Sequence, residues 1–294
     1  MKDIDKKIFH YTSLDGLLGI SESKSIWGTN SLFLNDSSEL NYAKDLFKEE
    51  VDNLRKTNSD FKKYPAIEKS VGYIFLELFE KSISELFPSD KFGFYICSFS
   101  EESDLLSQWR GYCSKGTGVS LGFNLNRMLK WSQDNKFIIR PCVYDENKQR
   151  EQFKLLLINM AVDFNRVIGK SSDIEKAWNS NSKKFAAEFL LKFIEIAPLI
   201  KHPKFSEEKE WRVTVNLDNY ESSSAIKFRS GFDAVVPYVE IPLPTKEAKL
   251  IIDKIVVGPS SDKILSMSSI KLLLKSRNVL CVEIESSEIP YRFT

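Results

Sequence analysis

The stretch Lys201-His202-Pro203-Lys204-Phe205-Ser206-Glu207-Glu208-Lys209-Glu210-Trp211-Arg212-Val213-Thr214-Val215 decides how this chain is read, because a long helical region gives way there to a β-like run. Every second residue from Glu208 is charged, in the order Glu208, Glu210, Arg212, while Trp211, Val213 and Val215 are apolar. Side chains alternate across a strand, so a strand starting at Glu208 would present two carboxylates and a guanidinium on one surface. The plain alternative is a salted edge strand facing solvent.

Working outward, residues 146–199 have helical spacing in two pieces separated by a Ser/Asn-rich break, and His202 before Pro203 reads as a turn residue. Downstream, β-like runs at 225–228, 235–243, 254–257 and 279–284 surround a helix near 264–275. Upstream, Ile8-Phe9-His10-Tyr11-Thr12 reads as a strand running into a helix capped by Ser13. A second short strand is expected at Ser31–Leu34, with Asn35-Asp36-Ser37-Ser38 capping a helix over 39–55. A polar connector at 57–64 precedes an amphipathic helix over 67–87, closed by Pro88. The run Phe92–Ser100 has the composition of a strand covered on both faces, followed by a helix over 101–112. Strands at 117–123 and 136–144 flank a short helix at 125–131. This is an α+β pattern rather than a βαβ alternation, and we expect a single domain over 1–294 with a helical insertion at 146–200.

The 294 residues are 42% apolar, enough for a sizeable core, and 42 basic against 41 acidic residues leave a net charge of +1. No global field therefore draws the chain to nucleic acid or membrane. Cys97, Cys113, Cys142 and Cys281 lie far apart, without the spacing of a disulfide framework or zinc knuckle. His10 and His202 are the two histidines, which excludes a three-histidine metal site. The N-terminus lacks a signal-peptide core and no apolar run reaches the ~18 residues of a membrane span, so we expect a soluble cytoplasmic protein.

Several chemistries find no motif. Gly116, Gly118 and Gly122 precede a strand instead of joining strand to helix, so a turn explains them better than a dinucleotide loop. There is neither a phosphate-loop motif nor a G-x-S-x-G elbow. In 97–112, Ser98 and Ser100 would direct two hydroxyls to one side of a strand, while Asp104, Gln108 and Tyr112 follow at intervals of four beside Trp109. Trp109 belongs either to a core or to a site that stacks a flat heteroaromatic ring.

The order of several motifs resembles an uncharacterised bacterial family, catalogued as a domain of unknown function and often assigned to the ADP-ribosyltransferase superfamily. The similar pieces are Phe9–Ser13, Leu34–Glu39, Cys97–Ser100, Leu106–Tyr112, Gly118-Val119, Phe205–Arg212, Phe228-Arg229, Pro237-Tyr238, Val257–Pro259 and Ile289–Arg292. The resemblance implies an ADP-ribosyltransferase-like split β-sheet core and NAD as substrate, with no metal. It implies that His10, with Tyr11 and Thr12 beside it, contacts the ribose or phosphates, that Ser98 and Ser100 form the serine motif, and that Glu210 is catalytic with Glu208 orienting the acceptor, or the two with these roles exchanged. Trp109 or Tyr112 would stack on nicotinamide. Asn35 is either a helix cap or a ligand contact, and Arg212 and Arg229 either pair with carboxylates or grip a pyrophosphate.

The expected activity is ADP-ribosyl transfer or NAD hydrolysis, in a toxin or phage-defence effector, with the acceptor undetermined among protein, nucleic acid and water. An antitoxin or regulatory partner belongs to that expectation. The competing readings are a nucleotide- or RNA-binding module that has lost the chemistry, and an interaction protein whose helical insertion docks a partner.

Overall fold

In a computed structural model, the structure describes residues 6–34, 38–56, 78–83, 94–113, 118–135, 137–169, 171–216, 225–231, 233–260 and 262–290. The elements are those of an α+β protein. Contacts divide the chain into two compact units, one made of 1–33, 94–142 and 205–294, the other of 34–93 and 143–204.

The first unit holds the sheet. Its elements are β1 (Lys7–Ser13), α1 (Leu14–Ser23), β2 (Ser25–Asn30), β3 (Phe94–Ser100), α3 (Leu106–Tyr112), β4 (Gly118–Asn124), α4 (Leu125–Asp134), β5 (Ile138–Pro141), β6 (Glu210–Asn216), β7 (Lys227–Ser230), β8 (Val235–Pro242), β9 (Thr245–Lys246), β10 (Lys249–Val257), α7 (Lys263–Ser276) and β11 (Leu280–Ser286). The second unit contains α2 (Ser38–Lys56), a helical turn at 78–83, α5 (Glu146–Phe164) and α6 (Ile174–Ile196). Residues 146–200 therefore share a compact unit with 38–56 and 78–83.

The sheet runs β11-β10-β4-β1-β3-β2-β8-β7, and β3 carries an additional neighbour, β6, which in turn pairs with β5. The ladders are antiparallel apart from β10 with β11. β1 and β3 meet only at Phe9 opposite Ser100, while β2 meets β3 at Thr29 opposite Ile96 and Asn30 opposite Tyr95. The sheet thus forks: β1 parts from β3 after a single pair. One face buries Ile8, Tyr95, Cys97, Phe99, Leu121, Val213, Val239 and Ile241 in the main core with α1, α4 and α7.

Local chemistry explains the element ends. Ser13 Oγ accepts from Gly16 N and caps α1, as its sequence position suggested. The short strand expected at 31–34 lies instead at Ser25–Asn30, and Ser31–Phe33 is a 3-10 turn. Gly28 lies inside that strand because its neighbours close over it: an added Cβ would come within 3.3 Å of Tyr95 Cβ and Val239. The helix after β3 begins at Leu106 rather than 101, and β5 is shorter than the 136–144 run. Of the helix expected over 67–87, only 78–83 lies among the described residues, where it is helical.

In the second unit, Asp145 and Asp173 cap α5 and α6. Phe47, Phe79, Phe153, Phe189 and Phe193 form its core, with Phe79 stacked on Phe189 at 3.9 Å between centroids. Each fully buried ring contributes about 1.5–3 kcal/mol. Buried Gln149 donates to the carbonyls of Val143 and Lys201 and accepts from Tyr42 Oη. The His202 ring accepts from Lys204 N in a turn, as its place before Pro203 suggested.

Candidate active site

The charged strand starts two residues later than its alternation suggests. Pro203–Glu208 forms a 3-10 turn and Lys209 has φ 41°, so β6 begins at Glu210. The left-handed residue breaks the alternation, which leaves Glu208 in the turn and outside the strand that carries Glu210 and Arg212. Side chains and backbone of the β3 exit hold that turn. Ser100 Oγ donates to the Glu208 carbonyl at 2.6 Å and accepts from Glu102 N at 3.0 Å. The backbone N of Glu101 donates to the Lys209 carbonyl, Trp211 Nε1 donates to Glu101 Oε1 at 2.7 Å, and Lys209 pairs with Glu102. Burial resists ionisation of Glu101, but hydrogen bonds from Lys6 and Trp211 and the nearby lysine charges outweigh it and hold its pKa below the usual value.

At the start of β6, Arg212 Nε donates to Glu210 Oε1 at 2.8 Å and its Nη2 to Oε2 at 3.1 Å. Both are deeply buried, 3% exposed for Glu210 and 4% for Arg212. The β3–β6 register sets Ser100 beside Glu210 and Ser98 beside Arg212, and β5 adds Arg140 beside Arg212. Directly paired residues in an antiparallel ladder point the same way. Ser98, Ser100, Glu210 and Arg212 therefore occupy one face, opposite the core-lining Cys97, Phe99 and Val213.

His10 sits at the fork between β1 and β3. Its Nδ1 lies 3.0 Å from the Ser98 carbonyl, and since a carbonyl only accepts, that nitrogen carries the proton. The ring also approaches Cys97 Sγ at 3.6 Å and Phe99 at 5.5 Å between centroids. These contacts place the imidazole on the core-side face, away from the one that carries Glu210. Burial pulls its pKa below the ordinary 6.5, partly opposed by the bond to Ser98.

The other expected ligand contacts are mostly structural. Tyr11 is buried, donates to the Glu102 carbonyl at 2.8 Å, accepts from Leu105 N at 3.0 Å and packs edge-on against Trp109. Burial, above all, drives its phenol well above the usual pKa. Trp109 is 0% exposed and donates to Asp104 Oδ1 at 2.7 Å, so it is a core residue and not a stacking platform. Asp104 precedes α3 and also receives Ser287 Oγ and Glu288 N, which removes it from the expected helical stripe. Thr12 packs over Gly16, where an added Cβ would collide with its Oγ1, while Tyr112 is 41% exposed at the end of α3. Asn35 lies outside the described residues.

Arg229 lies on β7, with Nη2 3.3 Å from Thr29 Oγ1 and its guanidinium 6.0 Å from the centre of the Trp27 ring. Trp27 beside it is not marked by any sequence motif, and Tyr238 enters only through Pro237-Tyr238 in the family resemblance. The signal for Trp27 was the β-prone set Ile26, Trp27 and Thr29, interrupted by Gly28. Among the described residues no cluster of His, Cys, Asp or Glu is arranged to hold a metal ion, and no helix is long and apolar enough to cross a membrane.

A family model described as a protein of unknown function (DUF2971) matches residues 108–213, a span that ends just beyond the Glu210–Arg212 pair. No curated protein and no solved structure matches the chain.

Proposed function

We propose that this chain is an NAD-consuming ADP-ribosyltransferase or NAD glycohydrolase built on an ADP-ribosyltransferase-like sheet, with Glu210 as its catalytic carboxylate. The observation that carries the reading is the placement of Glu210 and Arg212 on the same sheet face as Ser98 and Ser100. The fork between β1 and β3 supports a split core.

When the bond between nicotinamide and ribose breaks, its electron pair leaves with nicotinamide and positive charge builds on the sugar. A carboxylate holding the ribose 2′-hydroxyl stabilises that charge as it develops. Arg212 acts as a positioning residue: its two-point grip orients the carboxylate before substrate arrives. Ser98 lies beside Arg212 to contact the ribose, whereas Ser100 holds the Glu208 turn. His10 acts through the backbone of Ser98, not on the reacting sugar.

The test is release of free nicotinamide from NAD, by wild type and by Glu210→Gln, with circular dichroism to verify folding. Turnover by wild type and none by the folded variant is expected. No release by wild type, or equal release by the variant, overturns the assignment. A second reading, a nucleotide-binding module without chemistry, is favoured by one feature: the guanidinium engages both oxygens of Glu210 in a buried setting. Calorimetric binding of NAD with the dinucleotide recovered intact would select it.

A further inference from the structure

The face carrying Glu210 extends across β2, β8 and β7. Thr29 sits opposite Ile96 on one side and Tyr238 on the other, and Ile96 sits opposite Thr214. Trp27 and Thr29 are two residues apart on β2, so Trp27 shares this face. The opposite face of β2 is apolar and closed, with Ile26 and Gly28 against the main core.

Three properties make this region a site. Trp27 is 46% exposed, a large aromatic surface held in place by Tyr238, whose ring lies 4.5 Å away at 35°. The guanidinium of Arg229 reaches across toward the same indole and bonds Thr29 Oγ1. Its Nε is buried with no hydrogen-bond partner among the described residues, a donor whose desolvation is not compensated. Lys227, next along β7, is instead paired with Glu240 at 2.8 Å. An open indole beside an underused guanidinium fits a flat heteroaromatic ring that carries a negative group.

We propose that Trp27, Tyr238 and Arg229 form the base-and-phosphate subsite for an adenine nucleotide, with Trp27 stacking on the base and the Arg229 guanidinium pairing with a phosphate. This deepens the reading of Glu210 and rests on it for the identity of the substrate, though not for nucleotide binding itself. The subsite accounts for an aromatic contact that buried Trp109 does not supply.

The experiment is calorimetric titration with ADP and with adenosine of wild type, Trp27→Ala, Trp27→Phe and Arg229→Gln, alongside nicotinamide release from NAD. Trp27→Ala should weaken ADP about tenfold or more, the scale of base–aromatic stacking, and Trp27→Phe should restore most of it. Wild type should prefer ADP to adenosine, and Arg229→Gln should erase that preference. Trp27 is half exposed, so its variants should keep the wild-type melting temperature; a loss of ADP binding that Trp27→Phe fails to rescue counts against stacking. Unchanged ADP affinity in Trp27→Ala, or no ADP binding by wild type, overturns the subsite. ADP binding through Trp27 without NAD turnover leaves the subsite standing and removes the catalytic reading. NAD turnover with an unaltered KM in Trp27→Ala does the reverse.

Discussion

Arg212 and Glu210 project from the same face of one strand and close on each other in two hydrogen bonds of 2.8 and 3.1 Å, both side chains almost wholly buried. An ion pair taken out of water gains little net stability over an apolar pair of similar size, but losing one member strands the other charge in a poorly solvating site.

Arg212→Met should therefore destabilise the protein by about 3–5 kcal/mol, while Glu210→Met combined with Arg212→Met should cost clearly less than the sum of the single changes. Urea unfolding of the four proteins measures this. Additive effects would mean that the pair is not coupled as its geometry indicates.

His10 gives a pH dependence of definite sign. Its folded pKa is held below 6.5 by burial, so as pH falls through 6.5 the unfolded chain takes up a proton that folded His10 resists. That contribution to stability is full above 6.5 and is lost progressively below it. His10→Gln should flatten the fall in stability between about pH 7 and pH 5; an equally steep fall in the variant would show that His10 is not its source.

Asp104 is an acceptor shared by Trp109 Nε1, Ser287 Oγ and Glu288 N, with distances of 2.7, 2.7 and 2.8 Å. Asp104→Ala leaves those donors without it, at about 1–3 kcal/mol for each that remains buried and unsatisfied. Trp109→Phe should lower the melting temperature without changing ADP affinity. A selective loss of affinity at unchanged stability would return Trp109 to the ligand.

The thiols should differ in reactivity. Burial pushes Cys113 up to about 12, burial and then the Glu210 charge raise Cys97, and burial raises half-buried Cys281 to about 11. With Cys142 also buried, a disulfide reagent at pH 8 should reach Cys281 first and the other three only after denaturant is added. Rapid native labelling of Cys97 would contradict its position against the core.

Period and punctuation carried much of this architecture. The Ser13 cap, the apolar run of β3 and the two-piece helical region of 146–199 rest on local propensity, and the structure has each of them. Expectation and structure part where a single backbone torsion or a distant neighbour intervenes. The left-handed Lys209 broke the apparent Glu208–Glu210–Arg212 alternation. Gly28, closed over by Tyr95 and Val239, belongs to a strand that composition placed several residues later. Trp109 and Tyr11 carry the residue types of a ligand site, but their hydrogen bonds are taken by Asp104, Glu102 and Leu105.

By itself the sequence determined the α+β class, most strand and helix positions, and the proximity of Glu210 to Arg212, because alternation and capping act over a few residues. Tertiary structure alone decided which faces those residues occupy. It set His10 apart from Glu210, buried Trp109, and lined up Trp27 and Arg229 from strands two hundred residues apart, since ladder register between distant segments depends on how the whole core packs.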